Sequence, residues 1–192
     1  MPTPDRTSLE AIVTAGRDLL EAEGLARLSM QAIADRVGVR APSLYKRVSS
    51  RDDLVRLIAE ATLADLSARL DAVAAASAGD PKQRLVELAG AVRAFAHDRP
   101  AGYRLVFAPP SDDAAASPET ITRSAATVLA VAAELAGPDD ALEAARTATA
   151  WITGFLGMEL AGAFRLGGEV DRAFEYGVDR IAAALDRRAL AD

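Results

Sequence analysis

Apolar residues in this 192-residue chain recur every three or four positions and nowhere alternate for long enough to make a strand. That periodicity confines the fold to packed helices. Composition agrees, because 51% of residues are apolar and only 5% aromatic, which suits helix packing and argues against an all-β sandwich. The expected class is all-α: an N-terminal helix-turn-helix domain of three helices over residues 1–50, then a larger helical domain over 51–192, about nine helices in all.

Capping residues and glycines mark the helix ends. Thr7-x-x-Glu10 reads as a capping box for a first helix that stops at Gly24. Ser29 caps a short second helix ending at Gly38, and Pro42 sits in the first turn of a third, where its missing N–H is harmless. Ser50-x-x-Asp53 caps a fourth helix running to about Ala78. The fifth runs from Asp80-Pro81 to Arg99-Pro100, and a short one covers Ala101 to Phe107. After a loop from Ala108 to Ser117, a seventh helix is expected up to Gly137. A long eighth runs from about Pro138 to Leu166 and breaks at Gly167-Gly168, and a last one runs from Glu169 to about Arg188.

Charge is uneven along the chain. The net charge is −6, yet residues 1–58 hold nine basic and eight acidic side chains, and Arg36 to Arg51 holds five basic residues and no acid. A local basic strip on an acidic body can bind nucleic acid while the protein stays soluble; a solvated helix face is the plainer reading of the same charges. The strip falls within Leu28 to Leu54, where two short helices flank Val37-Gly38-Val39. Leu44 and Val48, four apart, face the core, which leaves Ser43, Tyr45, Lys46 and Arg47 on other faces. The small residues of Arg40-Ala41-Pro42-Ser43 let that helix start approach phosphates and base edges closely.

Ser29, Ile33-Ala34, Val37-Gly38-Val39, Ser43-Leu44-Tyr45, Val48, Arg51 and Asp53-Leu54 together resemble the DNA-binding domain of TetR-type (tetracycline-repressor-like) regulators over roughly residues 8–56. The family usually has His-Phe where this chain has Arg47-Val48. The resemblance implies that Ser29, Tyr45 and Arg51 hold phosphates, with backbone N–H groups at the third helix. It makes Gln31, Arg40, Ala41, Pro42, Ser43, Lys46 and Arg47 the candidates for groove contact. Gln31 and Arg40 carry donors suited to base edges. More loosely, His97 to Phe107 and Trp151-Ile-Thr-Gly154 resemble the subgroup with a C-terminal Trp-His-Gly motif, with Thr153 at the histidine position. That implies an architecture, not a ligand.

Eight of the nine aromatics lie beyond residue 90. Phe95, Tyr103, Phe107, Trp151, Phe155 and Phe164 either line an apolar effector cavity, with Met158 as an adaptable wall and Glu159 as polar anchor, or form a plain core. Glu159 reads equally as a rim carboxylate with an arginine partner. Gly154, Gly157 and Ala161, together with Phe174, Val178 and Ile181 of the last helix, suggest a two-fold four-helix interface between subunits; close packing within one subunit is the other reading.

The absence of cysteine removes thiol catalysis and zinc-thiolate sites, and neither a nucleophile elbow nor a P-loop occurs. His97 is the single histidine, so no enzyme, metal or cofactor is expected. The longest uncharged stretch, Thr147 to Met158, has 12 residues against the roughly 18 a membrane span needs. A cytoplasmic location off the membrane is expected.

The overall expectation is a homodimeric repressor on double-stranded DNA bearing an inverted repeat, released by a small apolar or amphipathic effector. A helical protein-interaction adaptor is the alternative. The fourth helix is expected to be the only reporter between effector and recognition helix.

Overall fold

A computed structural model describes residues 8–187. They form ten α-helices: α1 (Leu9–Glu23), α2 (Met30–Val37), α3 (Ala41–Leu44), α4 (Arg51–Ala76), α5 (Pro81–Asp98), α6 (Pro100–Phe107), α7 (Pro118–Ser124), α8 (Ala126–Ala136), α9 (Ala141–Leu160) and α10 (Val170–Leu185). Single 3-10 turns cover Leu25–Arg27 and Asp112–Ala114, and the described residues contain no strand. The class is all-α.

Several helix ends differ from expectation. Thr7 lies outside the described residues, and Ser8 caps α1, its hydroxyl accepting the Ala11 N–H at 3.1 Å. The helix expected from Ser117 to Gly137 is two, broken at Ala125, and neither Gly nor Pro marks the break. The segment before the break buries no residue, whereas α8 buries Val131, Ala132 and Leu135, so tertiary packing sets this boundary. Helix α9 stops at Leu160, short of the expected Leu166. Gly162 adopts φ +62°, its N–H bonds to Glu159 O at 2.9 Å, and the Ala163 N–H bonds to Met158 O at 2.9 Å. This is a Schellman cap, which a left-handed glycine permits. Helix α4 ends at Ala76, and α10 at Leu185; Arg188, the expected end of α10, lies outside the described residues.

Two compact units divide the chain. One holds the chain up to Ala64 together with Arg99–Ile121; the other holds Asp65–Asp98 together with the chain from Thr122. The first is centred on Ile12, Leu20, Leu28, Ile33, Leu44, Val48, Leu54 and Ile58, and it also buries Leu105 and Ala114 from the later segment. In the second, α8 packs on α9 through Ala132, Ala144 and Ala145, and α5 packs against α8 and α10.

One contact in the second unit depends on a glycine. A Cβ built on Gly177 of α10 would run into Cζ2 of Trp151, so the indole rests on bare backbone. Gly177→Ala should therefore overpack the α9–α10 contact and lower stability by about 1–3 kcal/mol. Urea unfolding followed by the fluorescence of Trp151, the chain's one tryptophan, measures this. A midpoint equal to wild type would mean that the ring does not sit there.

Candidate nucleic-acid interface

The turn between α2 and α3 follows from its residues. The Ser29 hydroxyl accepts the Ala32 N–H at 3.2 Å and caps α2. At the other end Gly38 sits at φ 75°, ψ 39°, its N–H on Asp35 O at 3.3 Å and the Val39 N–H on Ala34 O at 2.9 Å. Only glycine takes this conformation without steric cost, so the sharp turn into α3 depends on it. Pro42 lies in the first turn of α3 as expected.

Beneath the turn, Leu44 and Val48 are fully buried. Above it, Gln31, Arg40, Pro42, Tyr45, Lys46 and Arg47 are exposed, and Ala41 and Ser43 are half-buried. Tyr45 is 55% exposed, so its ring is no core residue. Gln31 donates to Asp35 Oδ1 at 2.7 Å across one turn of α2. With Ser29, these residues present donors and positive charge on the outside of a small apolar core, an arrangement suited to a polyanion.

Arg51 stands apart from the other candidates. Its Nε donates to Leu28 O at 2.8 Å and its guanidinium to Leu25 O at 2.9 Å. The fork ties the start of α4 to the connection between α1 and α2, an internal role its proximity to the basic strip does not suggest. Asp53, legible in sequence only as a capping residue, does more. It accepts the N–H and the hydroxyl of Ser49, each at 2.8 Å, and it pairs with Arg56. The backbone hydrogen bond from Ser49 is the main cause holding its carboxyl below the usual aspartate range. Ser50 Oγ accepts the Asp53 N–H at 3.0 Å, so Ser50 caps α4 as expected.

The effector candidates fall into separate groups. Tyr103 and Phe107 lie on α6 with ring centroids 4.8 Å apart, in the unit that carries the helix-turn-helix. Trp151, Phe155, Phe164 and Phe174 form an aromatic cluster in the other unit, with centroids 4.7–5.8 Å apart. Phe95 is fully buried there, with the Arg69 guanidinium 5.0 Å over its ring, and Met158 is exposed. Glu159 has an arginine partner: Arg93 Nε lies 3.1 and 3.2 Å from its two oxygens, and His97 Nε2 is 3.3 Å from Oε1. Arg93 also pairs with Asp171 and stacks on Phe174. Hydrogen bonding to Arg93 is the main cause lowering the Glu159 pKa, and the same bond raises that of Arg93. Glu159 borders an open groove of about 500 Å³ whose other lining includes Val86, Ala94, Phe174 and Val178.

The subunit-contact candidates also separate. Gly154, Gly157 and Ala161 are exposed, and a Cβ on either glycine would meet no atom within 4 Å. Ile181 is half-buried, whereas Phe174 and Val178 are buried in the chain's own core.

Comparison with known proteins fits this geometry. Residues 12–58 match the family described as bacterial regulatory proteins, tetR family, and residues 85–181 match the tetracyclin repressor-like C-terminal domain. The chain belongs to the TetR family. An uncharacterized HTH-type transcriptional regulator of Mycobacterium tuberculosis is 29% identical over 187 residues, covering 96% of this chain and 84% of that protein. An HTH-type transcriptional regulator of Mycobacterium bovis is 37% identical over 111 residues, 55% of this chain and 46% of the other. The solved structure of a possible TetR family transcriptional regulator from Streptomyces coelicolor A3(2) has a TM-score of 0.72 at 25% identity, covering 97% of this chain and all of that one. This TetR-family chain is a transcriptional regulator whose helix-turn-helix unit binds DNA. None of its described helices is long and apolar enough to cross a membrane.

Because Arg51 braces the TetR-type DNA-binding unit from within, Arg51→Ala should lower its stability by about 1–2 kcal/mol. Arg51→Lys should restore only part of that, since an ammonium cannot span both carbonyls as the planar fork does. Lys46→Ala, on the exposed face, should stay within about 0.5 kcal/mol of wild type. Guanidinium unfolding of the three variants separates brace from surface; equal losses for Arg51→Ala and Lys46→Ala would remove the distinction.

Proposed function

We propose that the chain is a homodimeric repressor that holds an inverted-repeat operator and is released by a small amphipathic molecule. The observation that carries this reading is the exposed set Arg40, Tyr45, Lys46 and Arg47 above the buried Leu44 and Val48. Two such surfaces related by a dyad meet successive major grooves about 34–36 Å apart, which requires an inverted repeat. Phosphates are gripped by Ser29, Tyr45 and Lys46; Gln31, Arg40 and Arg47 read the groove, with Ala41, Pro42 and Ser43 allowing the close approach. The protein acts in the cytoplasm, where that DNA lies.

The dimer reading rests on Gly154 and Gly157. A glycine inside a helix costs about 1 kcal/mol relative to alanine, and no neighbour within the chain needs the space. A helix from a second copy packing on this face, with Ala161 and Ile181, gives the glycines a purpose. The effector reading is supported by the groove beside Arg93 and Glu159, which pairs apolar walls with charge. Two proteins of the same fold are known in complex with small molecules, a TetR variant from Acinetobacter baumannii with minocycline and ActR from Streptomyces coelicolor with (S)-DNPA. The Trp151–Gly154 segment, with Thr153 offering no imidazole, supports a C-terminal half similar in architecture to the Trp-His-Gly subgroup.

Selection from genomic fragments should return duplexes containing an inverted repeat, bound with an affinity that falls steeply as salt rises. Lys46→Ala should reduce the slope of log affinity against log salt by about one. Failure to recover any salt-sensitive duplex would end the proposal. Gly157→Leu should overpack the subunit contact by about 1–3 kcal/mol at each copy and shift sedimentation towards monomer at low micromolar concentration. A fully dimeric variant would place the contact elsewhere.

A further inference from the structure

We propose that Asp35 on α2 is a positioning residue that fixes the side-chain amide of Gln31 and so makes Gln31 a reader of adenine and not of guanine. This deepens the proposed function and rests on the reading of the chain as an operator-binding regulator with Gln31 in the groove. Gln31 lies in the first turn of α2 and Asp35 one turn later. Met30, Ile33 and Ala34 form the buried side of that helix, and both polar residues are exposed.

Binding strength alone gives no reason for a carboxylate at this place. Asp35 stands beside Arg36 and just ahead of Arg40, Lys46 and Arg47, so it repels the phosphates that these side chains attract. What it does hold is Gln31, whose Nε2 donates to Asp35 Oδ1 at 2.7 Å. Residues four apart share one helix face, and a hydrogen bond to an ionised acceptor is stronger than one between neutral groups.

The chemistry of the pair leaves one arrangement of the amide. A carboxylate only accepts, so the Gln31 nitrogen must face Asp35 and the Gln31 oxygen must face away. With one N–H held by Asp35, Gln31 offers one N–H and one carbonyl oxygen to the outside. The major-groove edge of adenine is the complement, an N7 acceptor beside an N6 amino donor. Guanine presents two acceptors, N7 and O6, and one of them would meet the Gln31 oxygen. An amide released from Asp35 is free to turn both N–H groups outward and donate to two acceptors. Asp35 therefore acts by excluding guanine, and the overall affinity it forfeits is exchanged for discrimination.

The test uses the full-length protein and a duplex recovered by genomic selection, with each base pair of the half-site replaced by the other three. Wild-type protein is expected to show a position where adenine is preferred over guanine by about 5–150-fold, the discrimination typical of a bidentate pair. Gln31→Ala should flatten the preference at that position by losing affinity for adenine. Asp35→Ala should flatten it at the same position by gaining affinity for guanine, with preferences elsewhere unchanged and binding to unrelated duplex strengthened. Asp35→Glu, which keeps the acceptor, should restore the preference, and Asp35→Ala should leave it unaltered once Gln31 is alanine. In wild-type protein, adenine analogues lacking N7 or the N6 amino group at that position should each weaken binding by about fivefold or more. An Asp35→Ala protein that binds every duplex more tightly by one common factor and keeps the adenine preference has lost only a charge, and that result overturns the proposal. So does a Gln31→Ala protein with every base preference intact, or a Gln31-dependent position that favours another base. Unchanged wild-type affinity for both analogues overturns it as well, on a protein that needs no Asp35 variant to fold. Recovery of no duplex at all would instead fall on the operator reading beneath it.

Discussion

Two helices of eight and four residues form the helix-turn-helix, and neither would persist alone in water, where even good helix formers need roughly 12–15 residues. They exist because Ile33, Ala34, Leu44 and Val48 are buried against Ile12, Leu28, Leu54 and Ile58. Burial of a side chain such as Leu44 contributes about 1.5–3 kcal/mol, more than any single exposed contact near it. The exposed basic strip is the outer side of that core. Helices α1 and α4 approach closely because Gly16 has no side chain: a Cβ there would meet Ile58 Cδ1 at 2.6 Å. The exposed polar side chains and the buried residues that hold the unit together therefore lie on different faces of the same segment.

The charge pattern follows the same division. Acidic groups around the basic strip are engaged inside the unit: Asp35 by Gln31, Asp53 and Glu60 by Arg56, and Glu21 by two backbone amides. Such engagement limits the repulsion they would otherwise exert on an approaching phosphate. A chain of net charge −6 can in this way present a locally positive face.

Features governed by local chemistry are legible in the amino-acid sequence. Ser29, Gly38, Pro42 and the Ser50 cap act within a few residues of themselves, and each occupies the position its chemistry predicts. Interactions between distant residues are not legible in the same way. Glu21 looks like any polar residue of α1, because the amides it caps lie 80 and 81 positions away. Arg51 reads as one more member of the basic strip because its partners, 23 and 26 positions upstream, are backbone carbonyls that no side-chain pattern encodes. Glycines pose a related difficulty. Gly154, Gly157 and Gly162 stand close together in sequence, yet the first two are helical and the third ends the helix. The break at Ala125 has no local signal at all, since burial on one side of it and exposure on the other decide it.

Helix α4 contributes residues to both units. Leu54, Ile58, Thr62, Leu66 and Leu70 are buried at intervals of four residues. At about 100° per residue the buried face turns by roughly 160° from Leu54 to Leu70. No glycine or proline interrupts it between Arg51 and Ala76, and the DNA-binding unit's share of it ends at Ala64. Two residues earlier lies Thr62, buried, its hydroxyl bonded to Ile58 O at 2.8 Å. A threonine bonded to the carbonyl four residues back tends to bend a helix, and Gly102 of α6 rests against this one. The stretch of α4 that precedes its exit from the DNA-binding unit is thus also where α6 docks. Motion of either helix must be felt by the other, because a close-packed contact on a side chain with no room to move cannot absorb it.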